Sequence, residues 1–170
     1  MQPQAIQLRP MREQELAAVL AVQAACYPPA MQEPAAVVLA RLRAAPSTTL
    51  VACAGDAVCA YLFAYPSLLG RVTPLDAPFA PAAAADTLYL HDLAVAPQAL
   101  GRGLGRRLAQ HLLDQAAGQG LRHAALVSVQ DTRRFWEALG FEAEAGRPPC
   151  TALASYPGTA LYMTRALTPC

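Results

Sequence analysis

Three glycines at alternate positions, Gly101, Gly103 and Gly105, stand where an apolar strand-like run gives way to an amphipathic helical one. Glycine costs helix stability, so this spacing must serve something. On a strand-to-helix turn it lets backbone N–H groups face outward with no side chain in the way. The helix N-terminus adds partial positive charge, and together they cradle a phosphate or pyrophosphate. Arg102, Arg106 and Arg107 bring mobile cations to the same place. Taken alone, the pattern would also suit a tight turn with close helix–sheet packing. Two familiar phosphate loops fit poorly. A Walker loop needs Gly-Lys-Ser/Thr, and no lysine stands there. A dinucleotide fingerprint needs Gly-x-Gly-x-x-Gly and an acidic end to the next strand. Here the spacing is Gly-x-Gly-x-Gly, and that strand ends in Ser128-Val129-Gln130.

Ten residues upstream, His91 and Asp92 are neighbours on the strand entering this turn. Side chains alternate along a strand, so the two are expected on opposite faces, with one facing a substrate cleft. Histidine titrates near pH 6.5 and suits a general base. Asp92 would favour a cationic substrate or act through water. Either could instead be a hydrogen-bonded strand residue. His111 and His123, on a helix and at a strand start, read as surface residues.

Positioning these groups requires a particular order of elements. Ile6 and Leu8 alternate with polar neighbours, as in a short strand. Helical spacing runs from Arg12 to Cys26 and stops at Tyr27-Pro28-Pro29, and a second helix is predicted over Glu33 to Arg43. Thr48 to Ala54 and Ala57 to Tyr65 flank Gly55-Asp56, a hairpin signal. Positions 66 to 86 hold four prolines and read as a long loop, which in a compact domain is functional or mobile. Thr87 to Val95 is an apolar strand, and a helix follows from Gly103 to Ala117. Ala124 to Val129 is a strand, 132 to 140 a short helix, and strands begin at Phe141 and Ala160. The order βααββ, loop, βαβαββ predicts one α/β or α+β sandwich with a mixed sheet, spanning residues 1–170.

Composition sets the outer limits. The 170 residues suffice for one domain with a full core. With 55% apolar and 15% charged residues, disorder is not expected. A net charge of +1 gives no field for nucleic acid. No apolar run reaches the length of a membrane span, and the first residues lack signal-peptide character, so a cytoplasmic location is expected. Cys26, Cys53, Cys59, Cys150 and Cys170 are scattered, with no CxxC spacing, which predicts buried reduced thiols and no metal site. The alanine and proline abundance suggests a GC-rich, bacterial genome.

The run 88-LYLHDLAVAPQALGRGLGRRL-108 resembles the acetyl-CoA-binding motif of the GNAT N-acetyltransferase superfamily, Val-x-Pro-x-x-Arg/Gln-Gly-x-Gly-x-Gly/Ala. The run 135-FWEALGF-141 resembles the family's Phe-Tyr-x-x-x-Gly-Phe, and the element order agrees from about residue 4 to 166. The resemblance implies a splayed mixed sheet of six or seven strands flanked by four helices. It implies that Leu93, Ala94 and Val95 bind the pantetheine arm of acetyl-CoA. The turn Leu100-Gly101-Arg102-Gly103-Leu104-Gly105-Arg106 would bind the pyrophosphate. A backbone N–H near Leu93 or Ala94 would polarise the thioester carbonyl, and a neutral amine would attack it directly. Two positions depart from the pattern. Leu100 stands where the family most often has Arg or Gln. Trp136 replaces a tyrosine that in many members protonates the departing thiolate. Indole N–H donates a hydrogen bond but does not give up its proton, so Trp136 would pack or orient the sulfur, and Tyr156 is the nearest tyrosine in sequence that could reach it. The segment 90–95 also resembles the arylalkylamine N-acetyltransferase branch, where a histidine at the place of His91 helps remove the amine proton. The resemblance places the acceptor between loops 26–34 and 66–86, with Tyr27, Met31 and Phe79 as apolar contacts and Glu33 and Asp76 as charges. The expected reaction is acetylation of a small-molecule amine. A catalytically silent acyl-CoA-binding module and a protein N-acetyltransferase are the alternatives, and a homodimer is compatible with the fold.

Overall fold

The computed structural model describes residues 4–144 and 152–168. Seven strands form one sheet: β1 (Ile6–Pro10), β2 (Thr49–Ala54), β3 (Ala57–Ser67), β4 (Thr87–Val95), β5 (His123–Ser128), β6 (Glu142–Ala143) and β7 (Leu161–Ala166). Their order across the sheet is β1-β2-β3-β4-β5-β7-β6. Four α-helices accompany them: α1 (Leu16–Cys26), α2 (Ala35–Ala44), α3 (Leu104–Gly118) and α4 (Arg133–Glu137). Neighbours from β1 to β4 pair antiparallel, and β5, β7 and β6 do the same. Only β4 and β5 run parallel. Parallel neighbours need a crossover, and α3 supplies it.

The core follows the predicted apolar runs. Leu50, Val51, Ala52, Leu62, Leu88, Leu90 and Leu126 are buried in the sheet, and Leu104, Leu108, Leu112 and Leu113 bury one face of α3. Tyr61 and Phe63 of β3 meet Val19, Leu20 and Val38 of α1 and α2. No helix among the described residues is long and apolar enough to cross a membrane. Cys26, Cys53 and Cys59 are free thiols, the last two buried; Cys150 and Cys170 lie outside the described residues.

Two irregularities shape the site. The first is a β-bulge: Phe63 pairs with Asp92 but Ala64 pairs with Leu90, so His91 is an extra residue in β4. The second is a splay. β4 and β5 pair only from Thr87–His123 to Leu90–Leu126, and beyond them the two strands part. The helix predicted from Glu33 begins at Ala35 instead, with Pro34 at its N-cap. Proline is tolerated at a helix start and not inside one, so Glu33 falls in the preceding loop. The proline-rich segment after Ser67 is held by backbone bonds, including Ala82 N–H to Pro66 and Asp86 N–H to Ser67.

Candidate active site

The splay opens a slot of about 170 Å³, walled by Leu90–Val95 on one side and Leu126, Val127 and Val129 on the other. Phe135 and Trp136 of α4 border it, as do Cys26 and Tyr27 at the end of α1. Backbone geometry decides which β4 groups face it. Ala96 N–H bonds to the Cys59 carbonyl at 2.8 Å, and Asp92 and Ala94 pair with Phe63 and Tyr61. Antiparallel pairing sends both polar groups of alternate residues to the same side. The N–H and C=O of Leu93 and Val95 therefore point away from β3, into the opening. Two side chains of α1's end satisfy the carbonyls: Tyr27 Oη donates to Leu93 O at 3.0 Å and Cys26 Sγ to Val95 O at 3.1 Å. The two N–H groups remain for a ligand's carbonyls.

In the turn that follows β4, Gly101 (φ +79°) and Gly103 (φ +69°) adopt the left-handed backbone that L-residues avoid. A Cβ at either would meet nothing within 4 Å, so it is conformation and not space that requires glycine. Gly103 caps α3 without a side-chain cap, which leaves the first-turn N–H groups unpaired. Arg102, Arg106 and Arg107 are exposed around them and make no ion pair among the described residues. Gly105 differs. It is buried, and a Cβ there would stand 3.4 Å from the Phe135 ring and 3.6 Å from Leu93. Leu104 is also buried and offers backbone only. Leu100 is 65% exposed and borders neither the slot nor the cavity described next.

A second cavity, only about 20 Å³, adjoins the slot through Tyr27, His91, Asp92, Val127 and Val129, which border both. Met31, Glu33, Leu75 and Tyr156 complete it. The expectation that His91 and Asp92 face opposite sides is corrected here. The bulge at His91 breaks the alternation, and both residues line the same opening.

His91 belongs to a buried charge cluster. Its Nε2 lies 3.0 Å from Glu33 Oε1, and the same oxygen is 2.6 Å from Arg41 Nη1. Glu33 Oε2 accepts the Asp76 N–H at 2.8 Å, and Arg41 donates twice to the Ala77 carbonyl. Gln23 clamps the Glu33 backbone at both its N–H and its C=O. Burial alone would raise the Glu33 carboxyl; the contacts with His91 and Arg41 outweigh it and hold it at about 2. An ionised carboxylate only accepts hydrogen bonds, so Nε2 carries the proton. That contact leaves Nδ1 as the ring nitrogen not held by the carboxylate. Tyr156 Oη stands 3.5 Å from it, with its own proton given to the Thr73 carbonyl at 2.7 Å.

Asp92 is the other titratable group in the opening. Tyr61 Oη donates to Oδ2 at 2.9 Å, while Oδ1 is buried without a partner among the described residues. Burial raises this carboxyl. Phe79, expected among the acceptor contacts, borders neither cavity. It stacks on Tyr65, meets His91 edge-on and lies under the Arg41 guanidinium, so it backs the histidine. Tyr156 borders the smaller cavity and not the slot, whereas Trp136 lines the slot and packs against Phe135 and Phe141. Arg41 and the part played by Glu33 were missed from the sequence. A signal existed: Arg41 lies between Val38 and Leu42 on the buried stripe of α2, and a buried cation requires a buried anion. Among the described residues, no group of three or more His, Cys, Asp or Glu is placed to hold a metal ion.

The model of the acetyltransferase (GNAT) family matches residues 16–141, and the chain belongs to that family. Solved structures share the fold. The loading GNATL domain of CurA from Lyngbya majuscula superposes with a TM-score of 0.78 at 14% identity, covering 96% of this chain and 98% of that one. Ard1 from Thermoplasma volcanium gives 0.73 at 18%, covering 96% and 98%. A GNAT family acetyltransferase from Brucella melitensis, in complex with acetyl-CoA, gives 0.61 at 23%, covering 98% and 90%. No curated protein matches the sequence significantly.

Proposed function

We propose that the protein transfers an acetyl group from acetyl-CoA to the primary amine of a small molecule, by direct attack while both substrates are bound. The observation that carries this reading is the opening between β4 and β5. It is walled by β4 just before the glycine turn, whose Gly105 packs on Leu93 and Phe135 of the slot, and it is lined by a histidine whose Nε2 is held by a buried carboxylate. In this reading the amides of Gly101 to Arg106 hold the pyrophosphate, and the Leu93 and Val95 N–H groups bind the pantetheine arm and polarise the thioester carbonyl. His91 Nδ1 takes the amine proton. Glu33 fixes the tautomer and stabilises the imidazolium that forms. The apolar side chains of Met31, Leu75 and Val129 beside Asp92 suit an amine with an apolar body better than a polypeptide.

The test is thermal stabilisation by CoA and acetyl-CoA, followed by thiol release across a panel of arylalkylamines, polyamines and amino acids. Stabilisation with amine-dependent release supports the reading, and His91→Ala should then lower the rate about 10²-fold while cofactor stabilisation persists. One observation favours a second reading, a silent acyl-CoA-binding module: Trp136 lines the slot where a proton-donating side chain would serve. Stabilisation without release from any amine would establish that alternative.

A further inference from the structure

Aminolysis of a thioester expels a thiolate, and the slot can speed that step by supplying a proton. Four residues that line it carry a proton they can give up: Cys26, Tyr27, His91 and Asp92. Trp136 cannot, and Tyr156 borders the smaller cavity and not the slot. The Cys26 thiol is turned onto Val95 O, three residues along the strand from Asp92, roughly 10 Å away. His91 Nε2–H is held by Glu33, and Nδ1 has the opposite task of accepting a proton.

Tyr27 remains. Its hydroxyl lies in the slot on Leu93 O and interacts with the Asp92 carboxyl. It borders both the slot and the smaller cavity, so it stands at their junction. Its position is fixed. Tyr27 is the C-cap of α1, its N–H bonds to Gln23 O at 2.9 Å, and Gln32 Nε2 donates to its carbonyl at 2.9 Å. Burial and the neighbouring Asp92 keep the phenol protonated well into alkaline solution. Asp92 Oδ1, buried and unpartnered, is an open lone pair beside it.

We propose that Tyr27 is the general acid of the reaction, protonating the departing thiolate from the α1 wall of the slot, with Asp92 as the group through which its proton is restored. The proposal rests on the acetyl-transfer reading. As the C–N bond forms and the C–S bond breaks, the C–S electron pair goes to sulfur. Sulfur takes the Tyr27 proton, and the amine proton goes to His91 Nδ1. Tyr27 then regains a proton from water by way of the Asp92 carboxyl, and His91 returns its proton to solvent.

The experiment compares acetyl-CoA with its selenoester analogue, because a selenol is far more acidic than a thiol and leaves without a proton. Tyr27→Phe keeps the ring and removes the acid. It should lower kcat about 10²-fold with the thioester and only slightly with the selenoester. Adding Trp136→Tyr to that variant puts a phenol on the opposite wall and should restore part of the thioester rate. Equal losses on both donors, or no loss on either, would overturn the proposal. The wild type gives an independent check: a thioester turned over far more slowly than the selenoester would show that no acid operates. A wild type that releases thiol with no amine of the panel faster than without amine would overturn the acetyl-transfer reading itself, and the proposal with it.

Discussion

Replacing Glu33 by glutamine tests the buried cluster most directly. The side chain keeps its size but loses its charge, leaving Arg41, whose side chain is 2% exposed, without a counter-ion. The carboxyl sits at about 2 in the folded protein against an ordinary value of 4.5. Each unit corresponds to 1.36 kcal/mol, so ionised Glu33 contributes about 3 kcal/mol at neutral pH. Breaking one side of a buried pair costs a similar amount, about 3 to 5 kcal/mol. The sign follows from the direction of the shift. A lowered carboxyl binds protons less readily folded than unfolded, so its contribution is complete above pH 5 and declines as pH falls from 4.5 towards 2. Chemical denaturation should therefore show Glu33→Gln about 3 kcal/mol less stable than the wild type at pH 7. The gap should narrow to about 1 kcal/mol at pH 3. For a chain of this length the neutral-pH loss corresponds to a Tm lower by about 6 to 12 °C. A difference that stays constant with pH, or one under about 1 kcal/mol at pH 7, would refute the reasoning, because Glu33 would then behave as an exposed carboxylate.

Three further outcomes follow from other parts of the site. Gly103→Ala should cost about 1 to 2 kcal/mol in denaturation from its left-handed backbone, and it should weaken stabilisation by CoA. Asp92→Asn removes a carboxyl raised by burial. Such a group penalises the fold as pH rises past about 4, so the variant should be more stable than the wild type at pH 7 yet slower in thiol release. Leu100→Arg adds an exposed cation beside the glycine turn. It should tighten CoA binding by about 0.3 to 1 kcal/mol, read by titration calorimetry, with the gain fading at high salt.

The sequence made some features of this molecule plain and concealed others. Period-two and helical patterning located the strands and helices, because burial of one face controls those patterns. The glycine turn was legible because positive φ restricts the choice of residue. The bulge at His91 was not, since 87-TLYLHDLAV-95 carries no glycine or proline to mark it; the extra residue shows only in the pairing with β3. Glu33 was read as the start of a helix because its chemistry suits a first turn, but Pro34 takes that place and sends the carboxylate inward. Phe79 looked like loop surface because nothing local indicates that Tyr65, Arg41 and His91 converge on it from three separate elements.

The parting of β4 from β5 also bears on how such a protein can change. The groups that face the opening from β4 are main-chain amides, and a substitution at Leu93 or Val95 leaves their direction unaltered. Under the proposed function, recognition of the acyl donor is thus insulated from most point mutations on that strand. The smaller cavity, by contrast, takes Met31 and Leu75 from connections outside the sheet, and those two side chains can be exchanged without disturbing a single ladder bond. Under that same function, a lineage with this framework can explore new acceptors at such positions while its hold on the acyl carrier stays constant.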